Sequence, residues 1–169
     1  MSRRTPRRPQ EPGLNLSPPE LWRLEFSRRE GIADGPAADT TSLNFKLGLS
    51  RLSVVRLGVE LQVELIDAPG VEMKAAYRAV FEIDGAERPA EDIERDLKVV
   101  AAHVAPSALY PFLRETLVTT AVKAGLPPVI APIVNFRRVF DPKEIALPPV
   151  PKDRAMASQP SLAGSEKGD

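Results

Sequence analysis

Strict alternation of apolar and polar residues dominates the middle of the chain. In residues 54–66 every second residue from Val55 to Leu65 is apolar, and the residues between them are charged, polar or glycine. The alternation resumes over residues 71–83, after an Asp-Ala-Pro-Gly turn sequence at 67–70. Because successive side chains of a strand point to opposite faces, this pattern predicts a long antiparallel hairpin with one buried face.

Two shorter runs upstream repeat the alternation and predict two more strands. In each run the apolar residues are expected to share one face: Leu43, Phe45, Leu47 and Leu49 in the longer run, and Trp22, Leu24 and Phe26 in the shorter one. Together with the hairpin, these runs predict an antiparallel sheet of four strands.

After Ile93 the apolar spacing changes to steps of three and four residues, which is typical of helices. Pro106 is expected to end or bend a first helix, and Pro111 to lie in the first turn of a second. Gly125 is suited to cap that second helix, and a short third helix is expected over residues 135–140. The predicted fold is therefore α+β, with the four-stranded antiparallel sheet followed by two to three helices packed on one face.

Proline and aromatic residues divide the chain into three parts. Ten of the 18 prolines lie in residues 1–20 and 141–169, whereas all nine aromatic residues lie between Trp22 and Phe140. Segments rich in proline and charge without aromatic residues bury too little surface to offset chain entropy. The prediction is a disordered tail at 1–20, a domain at 21–145 and a second disordered tail at 146–169.

Composition excludes several classes of function. Lys+Arg and Asp+Glu are both 23, and this balance argues against a dedicated nucleic-acid binder. Cysteine is absent and His103 is the only histidine, so neither a thiolate nor a multi-histidine metal site is expected. No nucleotide-binding motif or catalytic constellation is present. We therefore expect no enzymatic activity, metal or cofactor, and, because no long apolar run exists, a cytoplasmic protein without membrane insertion.

Three motifs in the second half of the chain occur in a recognisable order. APSALYPFLRETL begins at Ala105, Gly-Leu-Pro-Pro follows at Gly125, and Val-Asn-Phe ends at Phe136. Their order and spacing resemble the SecB family of protein-export chaperones, in which the main helix opens with Cys-Pro-x-x-Leu-Phe-Pro-Tyr-x-Arg-Glu. This chain has alanine where that family motif has cysteine.

The resemblance implies a four-stranded sheet with helices that assembles as a homotetramer, a dimer of dimers. It also implies that unfolded polypeptide binds in a long apolar groove lined by the second predicted strand, the connection before it and the last helix. In this chain the implied client-binding residues are Leu43, Phe45, Leu47, Leu49, Phe136, Val139 and Phe140.

The chain departs from the family where the sheet docks the translocase motor SecA. Arg78 stands where leucine is usual, and Val80 stands where the docking glutamate is usual. The implied SecA-docking face is thus degraded, and consists here of Glu25, Arg78 and Val80. After Phe136 the usual Asp-Ala is replaced by Arg137-Arg138.

The resemblance implies a holdase that keeps unfolded preprotein clients from aggregating, either for export through SecA or for one dedicated client. The dedicated alternative is a chaperone of a toxin–antitoxin system that stabilises an aggregation-prone antitoxin. An alternative of another class is a structural scaffold that uses the sheet for fixed assembly and binds no unfolded clients.

Overall fold

Five strands form one antiparallel sheet, and a long helix packs against one of its faces. The computed structural model describes residues 13–28, 42–66, 71–85, 87–126 and 129–151. The strands are β1 (Leu14–Leu16), β2 (Glu20–Arg28), β3 (Ser42–Arg51), β4 (Arg56–Ile66) and β5 (Val71–Ile83). The helical segments are α1 (Ala90–Val99), a π-helical turn (Val100–Val104), α2 (Ala105–Lys123) and a 3₁₀ turn (Phe136–Arg138).

The strands β3, β4 and β5 follow one another as an antiparallel meander, and both β1 and β2 pair with β5. The sheet is therefore four positions wide but contains five strands, which corrects the predicted count of four. The N-terminal edge is divided because Pro18 and Pro19 have no N–H to donate to a ladder. Ser17 bridges the gap, since its hydroxyl accepts a 2.9 Å hydrogen bond from the Val80 N–H.

The predicted domain boundaries differ from the structure at both ends. β1 and the first residue of β2 lie within the segment predicted to be disordered at 1–20. Residues 146–151 are also described, and Leu147 packs against the hydrophobic core. The rest of the two predicted tails, at 1–12 and 152–169, lies outside the described residues.

The core lies between the sheet and the helices. Leu57, Val59, Leu61, Val63 and Leu65 are buried on β4, and the residues between them are half-buried, as the alternation predicts. The apolar face of α2 covers this side of the sheet with Leu109, Leu113 and Leu117, each with no exposed surface. The predicted hairpin and its buried face are confirmed.

The prediction for the first long strand was wrong about which residues share a face. A register shift between Leu21 and Arg23 inserts Trp22 as an extra residue on β2. Such a bulge reverses the facing of residues on one side of it. Leu24 consequently pairs across from Ala75 on the helix side of the sheet, whereas Trp22 stacks with Arg78 on the opposite, outer face.

The helix does not end at Pro106, where the sequence predicts an end or a bend, and Pro111 does not open a new helix, so the prediction for Pro111 was wrong. Pro106 cannot donate to the carbonyl four residues before it, and the π-helical turn accommodates it by widening the helix: the Ala105 N–H bonds to the carbonyl of Val100. Pro111 lies inside α2 on its exposed side, where water can bond to the carbonyl that loses its partner.

The end of α2 follows the prediction. Gly125 has a φ of 71°, and the N–H groups of Gly125 and Leu126 bond to the carbonyls of Val122 and Ala121 at 3.0 Å each. This is the Schellman arrangement, which needs a left-handed residue after the helix. The predicted third helix over 135–140 is instead the three-residue 3₁₀ turn. Within the described residues no helix is both long and apolar enough to span a membrane.

Candidate functional site

The apolar residues of β3 form a strip on the helix side of the sheet, at its edge. Leu43, Phe45, Leu47 and Leu49 are half-buried and pack against the core. Their partners across β4 are, respectively, Leu65, Val63, Leu61 and Val59. Among the described strands, β3 pairs only with β4, so its other edge has no partner strand in the described sheet. An apolar strip beside an open strand edge can bury side chains of an extended peptide and pair with its backbone.

An aromatic cluster joins this β3 strip to the C-terminal segment. The ring of Phe136 lies edge-on to Phe45, with centroids 5.4 Å apart, and edge-on to Tyr110, at 5.5 Å. Phe45 and Tyr110 are themselves 5.7 Å apart, and Phe140 stacks on Phe136 at 6.2 Å. The structure therefore brings together the predicted residues of β3 and of the C-terminal segment.

The predicted residues of the C-terminal segment differ in exposure. Phe136 retains only 3% of its surface and is part of the core. Phe140 is half-buried, and Val139 is 43% exposed. A peptide on this surface can thus reach Val139 and Phe140 directly, whereas Phe136 supports them from beneath.

Tyr110 is a member of the cluster that was not predicted from the sequence. Its hydroxyl donates a 2.6 Å hydrogen bond to the carbonyl of Pro132, which fixes the segment after α2 against the helix. Burial raises the pKa of Tyr110, and the charge of Arg114 opposes that rise. The only signal in the sequence was its place in the helix motif, beside Pro111.

Two further contacts hold the C-terminal segment in place. Asn135 caps the 3₁₀ turn, because its side-chain oxygen accepts a 3.1 Å hydrogen bond from the Arg137 N–H. His103 Nε2 lies 3.2 Å from the carbonyl oxygen of Phe140, to which it donates when that nitrogen carries the proton. The histidine therefore joins the π-helical turn to the segment that follows the aromatic cluster.

Two adjoining depressions run between α2 and the segment at 133–137, and we call them together the helix groove. One, of about 490 Å³, is lined by Tyr110, Pro111, Arg114, Glu115, Val118 and Ile133, among others. The other, of about 660 Å³, is lined by His103, Val104, Ala108, Asn135 and Arg137, among others. Ser107, Val134 and Phe136 line both.

The exposed apolar residues near the helix groove were also missed from the sequence. Ile130 is 75% exposed and Ile133 is 91% exposed, on the segment that Tyr110 holds against α2. Ile133 also lines the helix groove, where its exposed side chain adds apolar surface for a partner. No alternation or helical spacing distinguishes them, since the segment has no regular secondary structure.

The residues predicted for a degraded docking face share the outer face of the sheet, although Glu25 lies opposite Lys74, four residues along β5 from Arg78. The Arg78 guanidinium lies 3.6 Å from the centre of the Trp22 ring and pairs with Glu20 at 2.9 Å. Glu25 is 3.7 Å from Arg23, and Val80 is half-buried. The charge of Arg78 is thus already neutralised by Glu20 of the same chain.

No group of three or more histidine, cysteine, aspartate or glutamate side chains in the described part of the chain could hold a metal ion. The geometry offers apolar surface, a strand edge without a partner in the described sheet, and exposed charges, and surfaces with these features are suited to binding a polypeptide.

Comparison with known proteins agrees with this fold. The family model described as preprotein translocase subunit SecB matches residues 43–145. The protein-export protein SecB of Nitrosomonas europaea is 29% identical over 114 residues, which cover 63% of this chain and 67% of that protein. The SecB of Parvibaculum lavamentivorans is 28% identical over 133 residues, which cover 75% and 73% of the two chains.

A solved structure has the same fold. It is a Mycobacterium tuberculosis SecB-like chaperone in complex with a ChAD peptide from an antitoxin, and it superposes with a TM-score of 0.57 at 20% identity. The superposition covers 72% of this chain and 90% of that one. Since the family model covers more than half of the sequence, the chain belongs to the SecB family of chaperones.

Proposed function

We propose that this protein is a non-enzymatic holdase that binds unfolded or non-native polypeptide along the β3 strip and the C-terminal segment. The observation that carries the proposal is the joining of the two by the Phe45–Phe136 contact, beside an open strand edge. The proposed client contacts are Leu43, Phe45, Leu47, Leu49, Val139 and Phe140, with Phe136 as their support.

Binding of this kind needs little side-chain specificity. Apolar burial contributes roughly 25 cal/mol per Å², and pairing with the edge of β3 satisfies the backbone of an extended client. Several such sites in one oligomer would hold one long client at several points, which raises the overall affinity.

The proposed assembly is a homotetramer, formed as a dimer of dimers. Large apolar side chains remain exposed along the helix side of the N-terminal edge, at Leu14, Leu16, Leu21, Leu24 and Phe26. Surface of this extent is usually covered by a partner, and a second copy of the chain supplies a matching surface. Size-exclusion chromatography with light scattering measures this state directly.

Two biological roles of the holdase are consistent with the family. Delivery to SecA is suggested by relatives named as protein-export proteins. A dedicated antitoxin client is the second candidate, and the neutralised Arg78 in place of an acidic docking surface favours it. Mass spectrometry of polypeptides that co-purify from the host separates them: many signal-peptide-bearing precursors support export, and one dominant small protein supports a dedicated client.

Suppression of aggregation tests the holdase itself. A denatured test protein diluted into buffer should stay soluble at a stoichiometric ratio of this protein. Absence of any suppression, with the oligomer intact, would contradict the proposal and favour the scaffold alternative.

A further inference from the structure

We propose that His103 is a positioning residue for client binding, an inference that rests on the proposed function. The imidazole ring holds the backbone carbonyl of Phe140 against the π-helical turn. In this way it fixes the direction of Val139 and Phe140, two of the proposed client contacts, before a client arrives.

Residues 136–151 have only one hydrogen bond to the rest of the described chain. The others within this range are local, and close the 3₁₀ turn that Asn135 caps and the turn that begins at Asp141. The remaining one joins His103 Nε2 to the Phe140 carbonyl oxygen at 3.2 Å. The charged side chains of this range form no ion pair within the described residues: Arg137, Arg138, Asp141, Lys143 and Glu144.

The apolar contacts of residues 136–151 do not by themselves fix how the client contacts are presented. Phe136 is buried, and Phe140, Ile145 and Leu147 are half-buried against the core. Apolar burial is non-directional, whereas a hydrogen bond requires a defined distance and angle. The contact with His103 therefore determines which way the backbone at residue 140 faces, and with it the direction of the neighbouring side chains.

The position of His103 depends on the π-helical turn, which accommodates Pro106 and includes this histidine. An extra residue in a helical turn rotates the residues beyond it by about 100° relative to a regular helix. Turns of this kind are frequent at functional sites. The ring is half-buried and lines the same depression as Asn135 and Phe136. Because a carbonyl oxygen can only accept, Nε2 carries the proton in this contact.

A contact surface that is held in place binds more tightly, because less conformational entropy is lost when the client arrives. Removal of the His103 N–H should therefore weaken client binding without abolishing it. The expected loss of affinity is about threefold to tenfold, the range for one hydrogen bond.

The test compares variants of the full-length protein by fluorescence anisotropy, with a labelled peptide that has an apolar, aromatic core and Gly-Ser flanks. His103→Leu keeps an apolar side chain in place of the ring, removes the donor, and should bind about threefold to tenfold more weakly. His103→Gln presents an amide N–H in place of Nε2, and should restore the affinity to within about twofold of the unsubstituted protein.

Thr116→Val is the matched control. It removes a 3.1 Å hydrogen bond between α2 and the Tyr77 hydroxyl on β5, and neither residue belongs to the proposed client site. The control should therefore bind the peptide as the unsubstituted protein does. Equal weakening in Thr116→Val and His103→Leu would show a general effect of a lost hydrogen bond and overturn the inference.

A second measurement reports on the contact directly. His103 is the only histidine of the chain, so NMR with isotope-labelled histidine follows one imidazole. Addition of the peptide should shift this signal, since Phe140 is both a proposed client contact and the partner of the ring. A histidine with a purely structural role, away from the client, would not respond.

The outcomes separate this inference from the proposed function. Unchanged or tighter binding by His103→Leu, or failure of His103→Gln to restore binding, overturns the inference and leaves the holdase intact. A peptide that binds without shifting the imidazole signal overturns it as well, and this result needs no variant that might fail to fold. Failure of the unsubstituted protein to bind the peptide, with no suppression of aggregation, contradicts the proposed function itself.

Discussion

The rings of Phe45 and Phe136 meet edge to face, with their centroids 5.4 Å apart, although the residues lie on a sheet edge and on a turn far along the chain. Phe136 is buried in this contact and Val139, three residues on, is exposed. In the proposed function, Phe136 therefore supports the site and Val139 contacts the client.

We expect Phe136→Ala to lower the free energy of unfolding by about 3–5 kcal/mol, because it empties a filled position in the core. Val139→Ser should change stability by less than about 0.5 kcal/mol but weaken client binding. Urea unfolding and peptide anisotropy measure the two effects. Equal loss of stability in both variants would contradict the division between support and contact.

Tyr110→Phe should cost about 1 kcal/mol, since the Pro132 carbonyl loses its donor while the ring still packs in the cluster. The pH dependence should change as well. Burial raises the pKa of Tyr110 above 10.0, so the folded state keeps the phenol proton longer than the unfolded state. The contribution of Tyr110 to the free energy of unfolding is complete below pH 10.0 and is lost as pH rises through the raised pKa.

The comparison with Tyr110→Phe isolates this effect in a pH series of urea titrations. Lys74, whose pKa is raised by its hydrogen bond to Glu64 and by that residue's charge, is present in both proteins and contributes equally. An identical fall in stability above pH 10.0 in both proteins would show that Tyr110 does not contribute to it.

Gly125→Ala should destabilise the protein by about 1 kcal/mol through backbone conformation alone. The φ of 71° is unfavourable for alanine, while an added Cβ would meet no atom within 4 Å. Gly125→Asn is the matched control, because asparagine adopts this conformation more readily and should cost less. Thermal unfolding measures both, and equal losses would point to a steric cause.

The double variant Arg78→Leu with Val80→Glu should strengthen binding to purified SecA if the docking face is degraded only at these positions. It frees Glu20 from its ion pair and adds a carboxylate to the outer face. Trp22 is the only tryptophan of the chain, so a change in the tryptophan fluorescence of the purified variant reports the loss of the Arg78 guanidinium stacked on it. No gain in SecA affinity, together with the expected change in fluorescence, would mean that other contacts are missing.

The alternation of residues predicted the strands that the helices cover. Leu57 to Leu65 on β4 face the core because one side of the strand meets α2 and the other meets water. The same rule failed at Trp22, because the bulge there depends on how β2 pairs with β5. Pairing between strands that are distant in sequence cannot be read from a local pattern of residues.

The candidate site was predictable only in part. The family resemblance nominated Phe45 and Phe136, which the structure places in contact. Tyr110 and the exposed Ile133 were missed because their positions are set by the hydrogen bond to Pro132, a tertiary contact across an irregular segment. The path of the helix through Pro106 was equally hidden, since a π-helical turn has no distinct apolar spacing.

The division of the N-terminal edge between β1 and β2 also affects the order in which the strands of the sheet can pair during folding. β3, β4 and β5 are joined by short connections, so their pairings are local and can form early. β1 and β2 are made first, yet their partner in the described sheet is β5, and Leu14 pairs with Ile83 at the far end of that strand. β2 must therefore wait for residues 71–78 and β1 for residues 81–83, and until then the apolar side chains of both strands have no partner strand in the described sheet.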